Sequence, residues 1–346
     1  MRVRRIGAVV ALAGAAAGVA AGVGATSSSA KSNAGAAAQK KTFVVLVTDV
    51  NQLNDHGFNQ LAYQGLKRAE AKLGITGAVY QSPSAAQYIP NLATAARKGA
   101  DLVISVGFDQ ANALAKVAKQ FPKTHFAIID VDQTSLAGKP KNVEGLIFKE
   151  QEVGYLAGYL AGLLEKHKAG TATIGSVGGQ KQPPVDRYIA GYRAGAKKAD
   201  PSIKLLNTYS QDWVDQAKCK QAALDQISAG ASIVFQVAGG CGLGALDAAK
   251  EKGVWGIGVD ADQSYLGPQV LTSAMKRVDT SVYATIQQVI AGTFAGGTNM
   301  TFSLKNNGVG LGKISKKVPA ADVKLIQSIA RQIASGKIKN IPTVVS

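Results

Sequence analysis

Short runs of β-branched residues alternate with helical segments along most of the chain, and this alternation constrains the fold more than any other feature. From Thr42 onward it predicts parallel strands covered by helices on both faces, the α/β class. The pattern occurs twice, in stretches of similar length and order. We therefore expect two doubly wound lobes, with a single large sheet as the alternative. A chain of 346 residues is long enough to bury a core in each lobe.

The spacing and type of the apolar residues predict the individual elements. In the first half the strands are Phe43–Thr48, Ala78–Gln81, Leu102–Val106, Phe126–Ile129 and Val143–Phe148, with helices at Phe58–Leu73, Tyr88–Lys98, Ala111–Phe121 and Glu152–Lys166. In the second half the strands are Thr173–Val177, Lys204–Thr208, Ile233–Val237 and Trp255–Val259, with helices at Val185–Lys198, Asp215–Ala229 and Leu243–Glu251. Two more strands, Val270–Met275 and Met300–Leu304, and two helices, Val278–Ala291 and Ala321–Ser335, follow. These extra segments predict several crossings between the lobes, which would form a hinge.

The amino terminus is basic and is followed by a run from Ile6 to Ala25 that is almost entirely small and apolar. This order is typical of a secretory signal, and a membrane anchor is the alternative because the run has about the length of a bilayer-crossing helix. We expect cleavage between Ala25 and Ala38 and a location in the periplasm or at the outer face of the cytoplasmic membrane. The predicted division is 1–41 for the signal and tether, 42–148 plus 278–298 for the N-terminal lobe, and 149–277 plus 299–346 for the C-terminal lobe.

The formal net charge of +17 comes from dispersed Lys and Arg residues, which indicates a solvated basic surface and no nucleic-acid site. The three histidines, His56, His125 and His167, lie far apart, so we expect no metal site. The serines lack a nucleophile-elbow motif, and no pair of carboxylates is marked out as acid and base. We therefore expect a binding protein without a cofactor, and not an enzyme.

Polar residues crowd the loop between the first predicted strand and the first helix, at the carboxyl edge of the sheet, where ligands bind in α/β folds. Asp49 can accept hydrogen bonds from sugar hydroxyls or a base edge, and Asn59 can both donate and accept them. Phe58 offers a flat face for stacking. The alternative for part of this loop is helix capping by Asn54 or Asp55.

This loop and several later segments resemble the basic membrane protein family of ABC-transporter substrate-binding proteins, which includes purine-nucleoside receptors. Asn51-Gln52 stand where that family has a Gly pair, and Gly57 stands where it has Ser. The matching loop residues are Asp49, Asp55, Phe58, Asn59 and Gly65, and the later matching segments are Asp101–Phe108, Phe126–Asp130, Glu152–Gly158, Gly256–Gln263 and Leu271–Lys276. The resemblance implies a type I periplasmic-binding-protein fold, a nucleoside in the cleft between the lobes, and an ABC permease as partner.

The resemblance also implies that two aromatic side chains, one from each lobe, sandwich the base. Phe58 matches the first, and Trp213 is our candidate for the second. A carboxylate and a lysine clamp the ribose hydroxyls in that family, and Asp260 and Lys276 suit these roles. The alternative for Lys276 is a structural ion pair with Asp262 or Asp279.

Three further positions complete the candidate site, and two cysteines lie near it. Gly107 and Asp130 lie at the ends of matching segments, and Gly239 opens a Gly-rich turn whose backbone N–H groups can bind an oxygen-bearing ligand. The predicted positions of Cys219 and Cys241 share one edge of the sheet, so we expect a disulfide, with two free thiols as the alternative.

The sequence therefore predicts an exported solute-binding protein of an ABC importer that captures a nucleoside, with a purine as the expected base. The same fold as a receptor for a sugar, an amide or an autoinducer-like molecule is one alternative, and a nucleoside-processing enzyme is another. We expect a monomer that touches the membrane only through the permease or an uncleaved signal.

Overall fold

The computed structural model describes residues 41–166 and 172–345. The predicted signal and its cleavage site, the tether before Lys41, and His167 lie outside these residues. Within them the strands form two six-stranded sheets, so the alternative of a single large sheet is wrong. The strands are β1 (Phe43–Val47), β2 (Thr76–Tyr80), β3 (Leu102–Ser105), β4 (His125–Ile129), β5 (Val143–Phe148), β6 (Thr173–Gly178), β7 (Lys204–Tyr209), β8 (Ile233–Val237), β9 (Trp255–Asp260), β10 (Val270–Lys276), β11 (Asn299–Phe302) and β12 (Val309–Leu311).

The two sheets repeat one strand order. The first runs β11-β5-β4-β3-β1-β2 and the second runs β12-β10-β9-β8-β6-β7. Neighbouring strands are parallel, apart from β12, which is antiparallel to β10. The helices are α1 (Phe58–Leu73), α2 (Tyr88–Arg97), α3 (Ala111–Gln120), α4 (Glu150–Lys166), α5 (Pro183–Ala199), α6 (Gln216–Ser228), α7 (Gly242–Lys252), α8 (Val278–Ile290) and α9 (Ala320–Ala334). We call the first sheet with α1, α2, α3 and α8 the first lobe, and the second sheet with the other helices the second lobe.

The central strands consist mostly of apolar residues, many of them β-branched, and they are buried on both faces, as expected when helices cover a parallel sheet. Gly74 caps the carboxyl end of α1 and adopts the left-handed conformation that favours glycine. Gly65 lies where α1 crosses α8, and a Cβ there would lie 2.5 Å from the backbone oxygen of Asp279. Glycine at this position therefore lets the two helices of the first lobe pack closely.

A row of glycines on α4 allows the closest helix packing in the second lobe. A Cβ at Gly154 or Gly158 would overlap the backbone oxygens of Tyr188 and Tyr192 on α5. α4 begins directly after β5 leaves the first sheet, so this contact attaches the start of the second lobe firmly to α5.

Within the described residues the chain passes between the lobes after β5, after β10 and after β11. The third passage corrects the predicted boundary, which placed residues 299–346 in the C-terminal lobe. β11 lies in the first sheet because Asn299–Phe302 pairs in parallel with Gly145–Phe148 of β5. The passages are joined by backbone hydrogen bonds from Lys149 to Phe302 and from Arg277 to Gly308, so they form one hinge region.

Candidate functional site

The carboxyl ends of the strands of both sheets border one cleft, which contains about 540 Å³ of empty space, part of it open to solvent. Every predicted ligand residue except Asn59 lines this cavity. The first lobe contributes Asp49, Phe58, Gly107 and Asp130, and the second lobe contributes Trp213, Gly239, Asp260 and Lys276. The structure therefore brings together residues that are up to 227 positions apart in the sequence, from Asp49 to Lys276.

The loop after β1 places Asp49 at the wall of the cavity. Its Oδ1 accepts hydrogen bonds from the backbone N–H of Asn51 at 2.9 Å and from Nδ2 of Asn59 at 2.7 Å. Asn59 is fully buried behind Asp49, so it holds the carboxylate and does not face the cavity. The start of α1 is capped by Asp55, whose carboxylate accepts from the backbone N–H groups of Gly57 and Asn59.

Burial raises the pKa of Asp49 to about 7, although its hydrogen bonds from Asn59 and Asn51 favour the ionised form. The next strand makes room for this carboxylate. Gly107 follows β3 with φ at 112°, a conformation that favours glycine, and a Cβ there would lie 3.1 Å from Oδ2 of Asp49 and 3.5 Å from the ring of Phe58. The Asp49 carboxylate, the Phe58 ring and the Gly107 backbone thus form one wall.

Trp213 forms the opposite wall, in the loop between β7 and α6. Its ring lies against Gly179, where a Cβ would overlap the six-membered part of the indole. The indole Nε1–H donates to Oδ2 of Asp109 in the first lobe at 3.2 Å. Phe58 and Trp213 therefore line the same crevice from opposite lobes.

Lys276 lies at the end of β10 and is only 2% exposed. Its Nζ donates to Oδ2 of Asp130 at 2.7 Å and to Oε1 of Glu150 at 2.9 Å. Arg187 also donates to Glu150, at 2.6 Å. Phe58 is one of three aromatic rings close to this ammonium, with its centroid 5.2 Å from Nζ.

The predicted alternative partners of Lys276 are wrong. Asp262 instead accepts hydrogen bonds from the backbone of residues 264 and 313, and Asp279 pairs with Arg277. Burial raises the pKa of Lys276's partner Asp130, against the opposing charge of Lys276.

Asp260 has a different environment from Asp130. Its nearest hydrogen-bond donor is the hydroxyl of Tyr188, 3.4 Å from Oδ1. Burial raises the pKa of Asp260 to about 7, while the positive charge of Lys276 lowers it in part. Asp260 is therefore a buried carboxylate that faces the cavity with little of its hydrogen-bonding capacity used.

The Gly-rich turn after β8 differs from its predicted role. The backbone N–H of Gly240 points to Oδ1 of Asn51 across the cleft, that of Cys241 donates to the Trp213 oxygen, and that of Gly242 donates within the turn. The N–H groups of residues 240 to 242 thus have acceptors within the protein, and Gly239 lines the cavity. Cys241 forms a disulfide with Cys219, with Cα atoms 5.6 Å apart.

Several residues at the site escaped the sequence prediction. Asp109 and Tyr188 line the cavity, and Glu150 and Arg187 complete the charge cluster around Lys276. The matching segment ending at Phe108 stops one residue before Asp109, which was the available signal. In the described ranges, no cluster of His, Cys, Asp and Glu has the arrangement of a metal site, and no helix is long and apolar enough to cross a bilayer.

Comparison with known proteins shows which family the chain is similar to. The chain is 34% identical to the CD4+ T-cell-stimulating antigen of Listeria innocua, over 89% of this chain and 90% of that protein. It is 37% identical to the ABC transporter nucleoside-binding protein BmpA of Lactococcus lactis, over 81% of this chain and 84% of that protein.

A solved solute-binding protein of an ABC transporter from Aeropyrum pernix has the same fold, with a TM-score of 0.78 and 27% identity over 87% of this chain and 93% of its own. Residues 42–342 match the family model described as ABC transporter substrate-binding protein PnrA-like. The chain therefore belongs to the Bmp family of ABC-transporter substrate-binding proteins, which are exported proteins.

Proposed function

We propose that this chain captures a nucleoside, with a purine as the preferred base, in the cleft between its lobes. As an ABC substrate-binding protein it binds a small molecule and pairs with permease subunits. The observation that carries the proposal is a single cavity that combines flat rings from both lobes with carboxylates from both lobes. The relative from Lactococcus lactis that is called nucleoside-binding supports it.

In this proposal Phe58 and Trp213 stack on opposite faces of the base. Stacking of a base on an aromatic side chain contributes about 1–3 kcal/mol. Asp49, whose Oδ1 is already held by Asn51 and Asn59, presents its other oxygen to the edge of the base.

Asp260 accepts two hydrogen bonds from the vicinal ribose hydroxyls, because an ionised carboxylate can accept from both donors at once. Lys276 supports the same end of the ligand. Its Nζ lies 2.6 and 2.7 Å from the two oxygens of Asp130 and 2.9 Å from Oε1 of Glu150, and an ammonium group has three N–H donors. When the ligand binds, one N–H turns from an Asp130 oxygen to a ribose oxygen, while Asp130 keeps its other contact with the ammonium.

The charge of the cavity favours a nucleoside over a nucleotide. Asp49, Asp109, Asp130 and Asp260 line the cavity, and the cation that lines it within the described residues is Lys276. Lys276 is already paired with two carboxylates, so the charge that remains is negative. A phosphate group would add like charge in a partly buried space, which is unfavourable. We expect nucleoside monophosphates to bind more weakly than the nucleosides.

Titration calorimetry of the purified protein with guanosine, adenosine, inosine and AMP tests the proposal. Trp213→Ala should weaken nucleoside binding about 5- to 100-fold, as loss of one stacking contact implies. Asp260→Asn should weaken it about 10-fold or more, because the amide loses the charge and one acceptor. Trp255→Phe, at the start of β9, is the control for Trp213→Ala. Asp262→Asn, two residues beyond Asp260, is the control for Asp260→Asn. Neither Trp255 nor Asp262 lines the cavity.

Unchanged affinity in both Trp213→Ala and Asp260→Asn would contradict the site, and failure of every nucleoside to bind would contradict the ligand. Mass spectrometry of molecules that remain bound through purification then separates a nucleoside receptor from a receptor for a sugar or another polar ligand. Recovery of the added nucleoside unchanged excludes turnover. Further parts of the proposal are a monomeric state and a location in the periplasm or at the outer face of the cytoplasmic membrane, which light scattering and cell fractionation test.

A further inference from the structure

Asp109 crosses the cleft at the rim of the cavity. It lies in a short helical turn, Phe108–Gln110, directly after β3 of the first lobe. Its Oδ2 accepts from the indole Nε1–H of Trp213 at 3.2 Å, and its Oδ1 accepts from Nε2 of Gln182 at 2.5 Å. Both donors belong to the second lobe. One carboxylate therefore joins the lobes through two hydrogen bonds.

We propose that Asp109 is a positioning residue that fixes the orientation of the Trp213 ring when the lobes close, so that closure completes the aromatic wall. The inference rests on the proposed function in one respect, namely that Trp213 stacks on the ligand. It adds a role for a residue that the proposed ligand contacts do not include.

Trp213 has an apolar contact within its own lobe, and the polar contact of its ring is made to the opposite lobe. The ring packs against the backbone at Gly179 and also lines the cavity. The indole N–H is the polar atom of the side chain, and its acceptor is Asp109 of the opposite lobe. When the lobes separate, the indole N–H faces water. The Trp213 side chain then loses the hydrogen bond that fixes its rotamer. Ring orientation and lobe closure are thereby linked.

Lys276 of the second lobe also crosses the cleft, where its ammonium pairs with Asp130 and lies over the Phe58 ring, but it does not contact the indole N–H. The remaining contacts have neutral acceptors. Asn51 accepts from the backbone N–H of Gly240 at 3.4 Å. His56 contacts the hydroxyl of Tyr265 at 2.9 Å, and its backbone oxygen accepts from Gln263 at 3.2 Å. None of these acceptors is a carboxylate, whereas hydrogen bonds to an ionised acceptor are the stronger kind. Asp109 thus makes a charge-assisted contact across the cleft to the Trp213 indole.

The first test uses the indole N–H as a probe. Trp255→Phe leaves Trp213 as the source of the indole signal in a ¹⁵N–¹H spectrum, because the chain has two tryptophans. In that background, Asp109→Ala should move the Trp213 indole signal upfield and increase its exchange with water. Tyr265→Phe is the matched control, since it removes a contact across the cleft at a residue that is 60% exposed and does not line the cavity. It should leave the Trp213 signal in place.

The second test is a double-mutant cycle with guanosine as the probe ligand. Asp109→Ala should raise the dissociation rate up to about fivefold, the effect of up to about 1 kcal/mol for an exposed charged contact. Trp213→Phe keeps a stacking ring but removes the N–H. In Trp213→Phe, the further change Asp109→Ala should therefore have a smaller effect than in the wild type. Equal effects in the two backgrounds would mean that Asp109 acts without Trp213, and would overturn the inference.

The two proposals fail in different ways. If guanosine and the other nucleosides do not bind the wild-type protein, the proposed function fails, and the indole signal of the ligand-free protein decides the role of Asp109. A signal that Asp109→Ala leaves unchanged, both with and without guanosine, overturns that role. A signal that moves in Asp109→Ala and stays in Tyr265→Phe supports it.

Discussion

Replacing Lys276 by Met tests the buried charge cluster that joins the cavity to the hinge. Met keeps most of the length of the side chain but removes the ammonium, which is 2% exposed and bonded to Asp130 and Glu150. Glu150 keeps Arg187 at 2.6 Å, so Asp130 is the carboxylate that loses its cation. Removing one partner from a buried ion pair costs about 3–5 kcal/mol. We expect a loss of that size in the free energy of unfolding at pH 8.

The loss should depend on pH in a definite direction. Burial already raises the pKa of Asp130, and without Lys276 this pKa rises further. Between the pKa of the unfolded chain and that of the folded variant, the folded state binds more protons, so its stability falls as the pH rises, by up to about 1.4 kcal/mol per pH unit. Denaturant unfolding at pH 5 and pH 8 should therefore show the smaller loss at pH 5.

Two variants make this prediction sharp. Lys276→Met combined with Asp130→Asn removes both charges and should recover much of the stability at pH 8, because no carboxylate is left without a cation. Lys218→Met removes an exposed ammonium that pairs with Asp212 and should change stability little. If Lys276→Met costs no more than Lys218→Met, and equally at both pH values, the account of the buried cluster is refuted.

Three further predictions concern other parts of the fold. Replacing Cys219 and Cys241 by Ser should lower the free energy of unfolding by about 3 kcal/mol, as expected for a closed loop of this length, and denaturant unfolding under non-reducing conditions measures it. Burial raises the pKa of Asp49 and Asp260 to about 7, so the thermal stability of the ligand-free protein should fall as the pH rises from 5 to 8. Over the same range nucleoside binding should become tighter, because the carboxylates ionise. Asp260→Asn should weaken both trends. Gly158→Ala should lower the melting temperature because its Cβ would overlap the backbone of α5, whereas Gly310→Ala, with open space at its Cβ, should lower it less.

Local patterns in the sequence predicted most strands and helices to within a few residues. The run Val143–Phe148 and the helix Phe58–Leu73 have the predicted bounds, because continuous apolar runs and helical periodicity are set by burial within a lobe. The membership of β11 could not be predicted in this way. A strand of four residues has the same pattern in either sheet, and only its pairing with β5, some 150 residues earlier, decides between them. The short antiparallel β12, Val309–Leu311, was missed for the same reason.

The site was predicted where one rule sufficed, since residues that follow parallel strands meet at the carboxyl edge of the sheet. This rule brought Asp49, Trp213 and Asp260 to one cavity. The rule could not distinguish residues that face the cavity from buried residues behind the cavity wall. Asn59 is an example of the second kind. The partners of Lys276 were also out of reach, because Asp130 lies 146 residues away and no spacing rule connects the two.

A short repeat links the two lobes and was available in the sequence. Asp130-Val-Asp-Gln133 follows β4, and Asp260-Ala-Asp-Gln263 ends β9, at equivalent places in the two sheets. In each case the second aspartate binds the segment near the third passage of the chain. Asp132 accepts from the side chain of Asn299, and Asp262 accepts from the backbone N–H of residue 313.

The first aspartates of the repeat, Asp130 and Asp260, have positive φ angles of 74° and 63° and line the same cavity. Because the two backbones have the same conformation, the two carboxylates would have similar surroundings if Lys276 did not lie closer to Asp130. Because Lys276 bonds to Asp130, that carboxylate is committed to the hinge, while Asp260 keeps its acceptors for a ligand. Because Lys276 bonds to only one of the two aspartates, we predict that the ribose hydroxyls bind to Asp260 of the second lobe. Asp260→Asn should weaken nucleoside binding far more than it lowers stability, and Asp130→Asn should do the reverse. Equal effects of the two changes on binding would contradict this assignment.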